Sequence, residues 1–321
     1  MLRLAGLHHL TAITARAPEN VRFYTETLGM RLVKKTVNQD DVSAYHLFYA
    51  DKAGSAGTDV TFFDWPHAGE TRFGHGLISS TALRIDSGDS LDYWQQRLTQ
   101  SGIEVVGPFD RYGAQALAFT DQEGQRLELV VDGGKQGGDP WDESPVPAEH
   151  QIKGLHSVRL TVAEQEPLGS VLTGVLGMQQ SGQYEYSPNG VETFVYSMID
   201  GGAGNEVHVE VRPDLSRGRP GAGGVHHVAF RVENDDEHPQ WTQQTRQHGL
   251  RSTDVIDRFY FRSIYFQVPG GILFEIATDE PGFATDEPLE KLGEKLALPP
   301  FLEPHREEIE ANLKPLETSR A

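Results

Sequence analysis

Two adjacent histidine pairs, His8-His9 and His226-His227, and one late glutamate, Glu275, are the residues of this chain best suited to hold a divalent metal. The chain has no cysteine. Disulfides, thiolate metal sites, iron–sulfur clusters and Cys nucleophiles are therefore excluded, and a metal must take imidazole and carboxylate ligands. Each pair opens a run of strand character, Gly6-Leu7-His8-His9-Leu10-Thr11 and Gly224-Val225-His226-His227-Val228. Side chains alternate between faces along a strand. One face of the second run reads His226, Val228, Phe230, Val232 and suits packing against a helix. The other reads Val225, His227, Ala229, Arg231 and is expected to line a concave sheet, so His227 points inward and, by the same register, so does His9. Glu275 shares a face with Leu273 and Ala277, opposite Ile272, Phe274 and Ile276. A carboxylate on an inward apolar face is costly unless something compensates it, and a divalent metal would. The expected ligand set is His9, His227 and Glu275.

The elements that must position these residues follow from internal repetition. Gly6-Leu7-His8-His9 and Leu28-Gly29-Met30 recur as Gly154-Leu155-His156-Ser157 and Leu176-Gly177-Met178, at an offset of 148 residues. Ala82-Leu83-Arg84-Ile85, Asp110-Arg111-Tyr112, Phe119 and Glu128 recur as Ala229-Phe230-Arg231-Val232, Asp257-Arg258-Phe259, Phe266 and Glu275, at an offset of 147. The chain is thus a repeat of a repeat, with four modules beginning near Leu4, Gly74, Lys153 and Gly223. Each reads as a strand, an amphipathic helix such as Pro18–Leu28 or Ser90–Ser101, and three short strands, giving βαβββ. The expected fold is α+β, two cupped mixed β-sheets, with modules 1 and 4 sharing one cup and modules 2 and 3 the other. Along the chain this gives an N-terminal domain over 1–135, a Gly-, Pro- and acid-rich linker over 136–151, a C-terminal domain over 152–280 and an extension over 281–321 carrying a short helix near Pro304–Leu313.

The repetition also supplies an internal control. Ser79 and Ser80 stand where His226 and His227 stand in the fourth module, and Ser157 where His9 stands in the first; only Glu128 matches Glu275. One ligand set is complete and the other degenerate. Tyr265 is replaced by Ala118 in the degenerate half, whereas Arg258 has a copy in Arg111. His46, His67, His75, His150, His208, His238, His248 and His305 read as structural or solvated, and His156 as the degenerate copy of His8.

Composition bounds the partners. At 321 residues with a formal net charge of −19, the chain repels phosphate backbones and anionic membrane surfaces, which argues against nucleic acid and membrane partners. No window reaches 18 consecutive apolar residues, and the first residues lack the apolar stretch of a signal peptide. A cytoplasmic protein acting on a small molecule is the expectation, with homo-oligomerisation left open.

The modules and motifs resemble the vicinal oxygen chelate superfamily, which includes glyoxalases, bleomycin-resistance proteins and extradiol dioxygenases. Within it the chain is similar to bacterial ring-cleaving dioxygenases of the hydroquinone 1,2-dioxygenase type. The two His-His motifs, Phe274-Glu275-Ile276 and Pro304-His305-Arg306-Glu307-Glu308-Ile309-Glu310 carry the likeness. The resemblance implies Fe(II), with Mn(II) second, bound by His9, His227 and Glu275, O₂ as co-substrate and a small aromatic substrate. It also implies supporting or catalytic roles for His8, His226, Thr11, Arg258 and Tyr265. Two His and one carboxylate leave open positions that suit oxygen chemistry. The alternatives are a glyoxalase-type lyase or isomerase, a catechol-type extradiol enzyme and a sequestering protein. The first needs a fourth ligand, where Phe62 falls at the place matching Glu210; the second needs a His where Ser157 stands; the third needs no triad.

Overall fold

The computed structural model describes residues 2–232 and 235–318. Module 1 comprises β1 (Leu7–Thr14), α1 (Ala17–Arg22) continued by a π-helical turn over Phe23–Thr27, β2 (Arg31–Asn38), β3 (Asp41–Ala50) and β4 (Asp59–Asp64). Module 2 comprises β5 (Leu77–Ile85), α2 (Gly88–Gln100), β6 (Val106–Arg111), β7 (Ala114–Thr120) and β8 (Arg126–Val131). Module 3 comprises β9 (Leu155–Val162), α3 (Gln165–Gly174), β10 (Gln179–Tyr186), β11 (Val191–Ser197) and β12 (Glu206–Val211). Module 4 comprises β13 (Gly224–Val232), α4 (His238–Gln247), β14 (Ile256–Asp257), β15 (Arg262–Gln267) and β16 (Leu273–Thr278). A last helix, α5 (Arg306–Asn312), lies in the C-terminal extension.

The strands form two eight-stranded sheets, β14-β15-β16-β13-β1-β4-β3-β2 and β10-β11-β12-β9-β5-β8-β7-β6. The first joins modules 4 and 1 and the second joins modules 3 and 2, as expected. Each sheet therefore draws one module from each half of the sequence. At the middle of each, the opening strands of two modules pair antiparallel, β1 with β13 and β5 with β9. The period-2 pattern fixes which face is buried. Val228, Phe230, Val232, Phe274 and Ile276 are fully buried in the main core with the tryptophans of α2 and α4, Trp94 and Trp241. In α2 the buried Leu91, Trp94 and Leu98 fall on one helical face, and Ser87 caps the N-terminus by accepting from Ser90 N–H.

Strict alternation is interrupted by bulges in several ladders, and in the opening strands of the modules it matters. The β1–β13 ladder pairs Leu7 with Phe230 but His9 with Ala229, so His8 is an extra residue; it pairs Thr11 with His227 but Ala12 with Val225, so His226 is extra too. These are β-bulges, which interrupt alternation and bring neighbouring side chains together. Alternation had placed His226 on the helix-packing face. Instead its ring meets that of His227, with Nδ1 atoms 2.8 Å apart, and His8 meets His9 at 2.9 Å. The β5–β9 ladder has the same shifts, leaving Ser79 and His156 as the extra residues. The bulge is thus present in all four modules, including those that have lost a histidine.

The extension after β16 forms a strap against the first cup. Phe283 packs on Phe48 and Tyr260 with ring centroids 4.9 and 5.5 Å apart. Lys34 Nζ, from β2, meets Asp286 at 2.7 Å and also Glu287, and Tyr260 O–H donates to Asp286 at 2.8 Å. The strap passes β2 so closely that a Cβ on Gly293 (φ +77°) would lie 2.0 Å from the Leu32 carbonyl oxygen, so only glycine fits there. Among the described residues no helix is long and apolar enough to cross a membrane.

Candidate metal centre

His9 on β1, His227 on β13 and Glu275 on β16 come from three adjacent strands and converge in the first cup. Glu275 Oε2 lies 3.2 Å from His9 Nε2 and 2.9 Å from His227 Nε2, and all three donor atoms fall within 4.8 Å of one another. All three side chains are buried. Glu275 Oε1 is held by Ser263 O–H, whereas buried Oε2 has no hydrogen bond of acceptable geometry.

The protonation pattern explains why. His8 Nε2 lies 2.9 Å from the Thr278 carbonyl oxygen, which accepts only, so Nε2 carries the proton and Nδ1 is the acceptor. Burial and the neighbouring His9 lower the His8 pKa to about 3 and keep it neutral. His9 must then donate through Nδ1–H, which leaves the Nε2 lone pair aimed at Glu275. The His226–His227 pair repeats the contact on the other strand. An imidazole lone pair facing a buried carboxylate oxygen at this distance calls for a cation between them. Two ligand bonds of ~2.1 Å at right angles set donor atoms about 3.0 Å apart, close to what is seen. The residues present fit a metal held by three protein donors.

The neighbouring residues divide into two groups. Arg258 and Tyr265 line the cavity beside the triad, with Thr36, His46, Phe48 and Phe63 among the other walls. Tyr265 sets its ring edge-on to His227 at 5.8 Å and accepts from Arg258 Nε at 3.3 Å. Arg258 forks onto Asp40 with contacts of 3.1 and 2.8 Å. Burial and Glu275 push the Tyr265 hydroxyl upward, so it stays protonated. His8, His226 and Thr11 do not line this cavity. The two histidines stand behind His9 and His227, His226 against Phe63 and Trp65. Thr11 reaches Thr61, which reaches His46 Nε2, at 2.8 and 2.9 Å. His46, read as structural from sequence, thus faces the triad from β3. Its only signal was a polar residue between Tyr45 and the apolar run Leu47-Phe48-Tyr49.

The place of a possible fourth ligand shifts by one residue. The sheets pair Ile13 with Phe63 and, 148 residues on, Thr161 with Glu210. Phe63, rather than Phe62, is therefore the counterpart of Glu210; Phe62 is fully buried in the main core. Phe63 carries no donor, and neither Asp59 nor Asp64 joins the convergent group. The cavity holds only about 40 Å³, room for about one water, because the strap and a cluster of aromatic rings fill the cup.

In the second cup, cations from the chain itself neutralise the surviving carboxylate. Glu128 pairs with Arg111 and, at 2.7 Å, with Arg159, and accepts from Ser80 and Tyr186. Against the effect of burial, Arg159 and Arg111 lower its pKa to about 2. A depressed carboxylate contributes stability above its unfolded pKa that is lost as pH falls through the folded one. Unfolding free energy is expected to drop by on the order of 3 kcal/mol from this group between pH 4.5 and pH 2. Urea melts over that window should show a shallower slope for Glu128→Gln; equal slopes would mean that the pair does not set the acid limb.

A family model described as Glyoxalase/Bleomycin resistance protein/Dioxygenase superfamily matches residues 6–129 and 154–276. The chain is 43% identical over 317 residues to the protein of Bacillus subtilis (strain 168) named "Putative ring-cleaving dioxygenase MhqA", covering 98% of this chain and 100% of that one. It is 34% identical over 318 residues to "Chlorohydroquinone/hydroquinone 1,2-dioxygenase" of Sphingobium indicum, covering 96% and 95%. A crystal structure titled as that of a "putative dioxygenase from Bacillus subtilis subsp. subtilis str. 168" superposes with a TM-score of 0.91 at 36% identity, over 100% of both chains.

Proposed function

The chain belongs to the glyoxalase/bleomycin resistance protein/dioxygenase superfamily, and from that premise we propose that it is an Fe(II)-dependent dioxygenase opening a hydroquinone-type aromatic ring with O₂. The observation that carries this reading is the three-donor site: two imidazoles and one carboxylate converge, and the fourth ligand place is an apolar ring, Phe63. A facial His₂-carboxylate set leaves positions open for a substrate oxygen and O₂, whereas a fourth carboxylate would favour Lewis-acid isomerase chemistry. The relatives named as dioxygenases, one of them for hydroquinones, support the same choice. When bound, iron supplies the redox chemistry that couples the electron-rich ring to O₂.

The chain's own residues hold and orient. His8 and His226 accept from the Nδ1–H groups of His9 and His227 and so fix both rings. Tyr265, protonated and with its oxygen accepting from Arg258, directs its O–H into the cavity as a hydrogen-bond donor to a substrate oxygen. Arg258 anchors the second ring oxygen or opposes developing negative charge, once its fork leaves Asp40. A cavity of about 40 Å³ cannot hold an aromatic ring, so the β2–β3 turn carrying Asn38, Gln39 and Asp40 moves for substrate to enter. The Arg258–Asp40 pair is suited to that, since Asp40 is 71% exposed and such pairs hold weakly.

Anaerobic reconstitution with Fe(II), followed by oxygen-uptake assays on hydroquinone and catechol panels, tests the reading. Oxygen consumption with hydroquinones is expected. Turnover of a methylglyoxal–thiol adduct with Ni(II) or Zn(II), and no oxygen uptake, would replace it with the isomerase reading. Three variants probe the roles. Tyr265→Phe is expected to slow turnover about 10²-fold or more with iron retained. His8→Ala and His226→Ala are expected to weaken iron binding roughly 10–100-fold, read as iron content after dialysis. Loss of iron from Tyr265→Phe would make Tyr265 part of the metal's own support.

A further inference from the structure

The larger cavity is not the one beside the triad. The concave side of the second sheet encloses about 540 Å³, within the usual range for small-molecule sites. It shares no lining residue with the first cavity. The difference has a physical cause: the C-terminal strap fills the first cup, while no residue of the linker 136–151 lines the second.

The side chains of this cup are arranged unequally by charge. Its two deepest acids are already satisfied. Glu128 is held by Arg111 and Arg159, and Glu210 accepts from Thr161 at 2.7 Å and Asn189 at 2.5 Å. Glu104 stands exposed at the rim. Arg212 is engaged by Asp214 on its own chain segment at 2.7 Å. Arg126 is different. Its guanidinium lies on the face of Phe73, 3.7 Å from the ring centroid, and among the described residues no hydrogen bond or ion pair engages it. The apolar wall comprises Val106, Ala118 and Leu215.

We propose that the second cup binds a small organic carboxylate about the size of a substituted benzoate, with its carboxylate on Arg126 and its apolar body against Val106, Ala118 and Leu215. A guanidinium fork matches a carboxylate bidentately, and its place on Phe73 pre-orients it. The apolar wall selects an organic body over an inorganic anion, since such a surface adds affinity only when apolar area covers it. The site is distinct from the triad and does not depend on its assignment.

The test uses the full-length, metal-free protein. Benzoate binding is measured by calorimetry, with 3-fluorobenzoate as a ¹⁹F reporter, against benzyl alcohol and inorganic phosphate. Saturable benzoate binding is expected in the parent protein. Arg126→Ala should weaken it about tenfold or more, the loss of one charge-assisted contact. Arg126 is exposed, so that variant keeps the fold. Leu215→Trp, which fills the cup, should weaken binding as well, and His227→Ala should leave it within about twofold, a difference well under 1 kcal/mol. Four results would each overturn the proposal: no saturation by roughly 10 mM, weaker than the millimolar range of a minimal site; equal binding of benzyl alcohol; phosphate competing as well as benzoate; or binding lost in His227→Ala but kept in Arg126→Ala, which would place the ligand in the first cup.

Discussion

Protein carrying His227→Ala, reconstituted with Fe(II) and desalted, is expected to retain almost no iron and to consume no oxygen with hydroquinone. With three protein donors, loss of one removes a third of the ligand set. The fall in affinity should exceed the ~10–100-fold that a supporting residue costs. His9→Ala and Glu275→Ala should behave alike. The informative control is the stability of the metal-free forms. Glu275 is completely buried and its Oε2 faces two imidazole nitrogens without a good hydrogen bond. A site arranged for a cation is strained without one, so metal-free Glu275→Gln, which can keep a contact with Ser263, should unfold at the same urea concentration as the metal-free parent or a higher one. A buried structural ion pair behaves in the opposite way, because breaking it costs about 3–5 kcal/mol. A loss of that size in metal-free Glu275→Gln would mark the triad as a structural network. Adding Fe(II) should then raise the melting temperature of the parent alone, since ligand at ~100 times its Kd stabilises by about 2.7 kcal/mol.

The second large effect is expected far from the donor atoms. Lys34→Met should destabilise the protein by about 3 kcal/mol or more and free the strap. The Lys34 side chain is fully buried, while its partners Asp286 and Glu287 are 19% and 13% exposed. Its ammonium also lies 4.7 Å from the Tyr260 ring centroid. Removing the cation leaves two carboxylates side by side with little water, the situation in which breaking a buried pair costs most. Phe283 and Leu292 enter the first cup on the same segment, so their burial is lost with the latch. Limited proteolysis should cut the variant within residues 279–293, and urea melts should report the lost stability. Adding Asp286→Asn and Glu287→Gln to Lys34→Met should restore most of it, because the stranded charges go too. An unchanged melt, or no rescue, would mean that Phe283 and Leu292 hold the strap without the ion pairs.

The sequence and the structure account for different parts of this molecule. Repetition at offsets of 148 and 147 residues revealed four equivalent modules, and the distribution of His9, His227 and Glu275 among modules 1 and 4 implied which modules share a sheet. Both inferences compare a residue with its own copies, so they needed no knowledge of distance. The convergent position of Glu275 was legible for a related reason: a carboxylate in an apolar, alternating run has few inexpensive explanations.

What the sequence could not supply depended on contacts between segments far apart in the chain. A bulge exists only relative to a partner strand, so the turning of His8 and His226 toward His9 and His227 appeared only once β1 lay against β13. Register across β1–β4 and β9–β12 put Phe63 rather than Phe62 opposite the place of Glu210, because the insertion that changes the offset lies between the paired strands. His46 came to face the triad because β3 curls round the cup. Arg111 and Arg159 met on Glu128 from different modules. The strap closed one cup and left the other open. Local pattern specifies which face of a strand is buried, since alternation is a property of the backbone; what that face meets is settled by long-range packing, where charge, volume and register must be satisfied together.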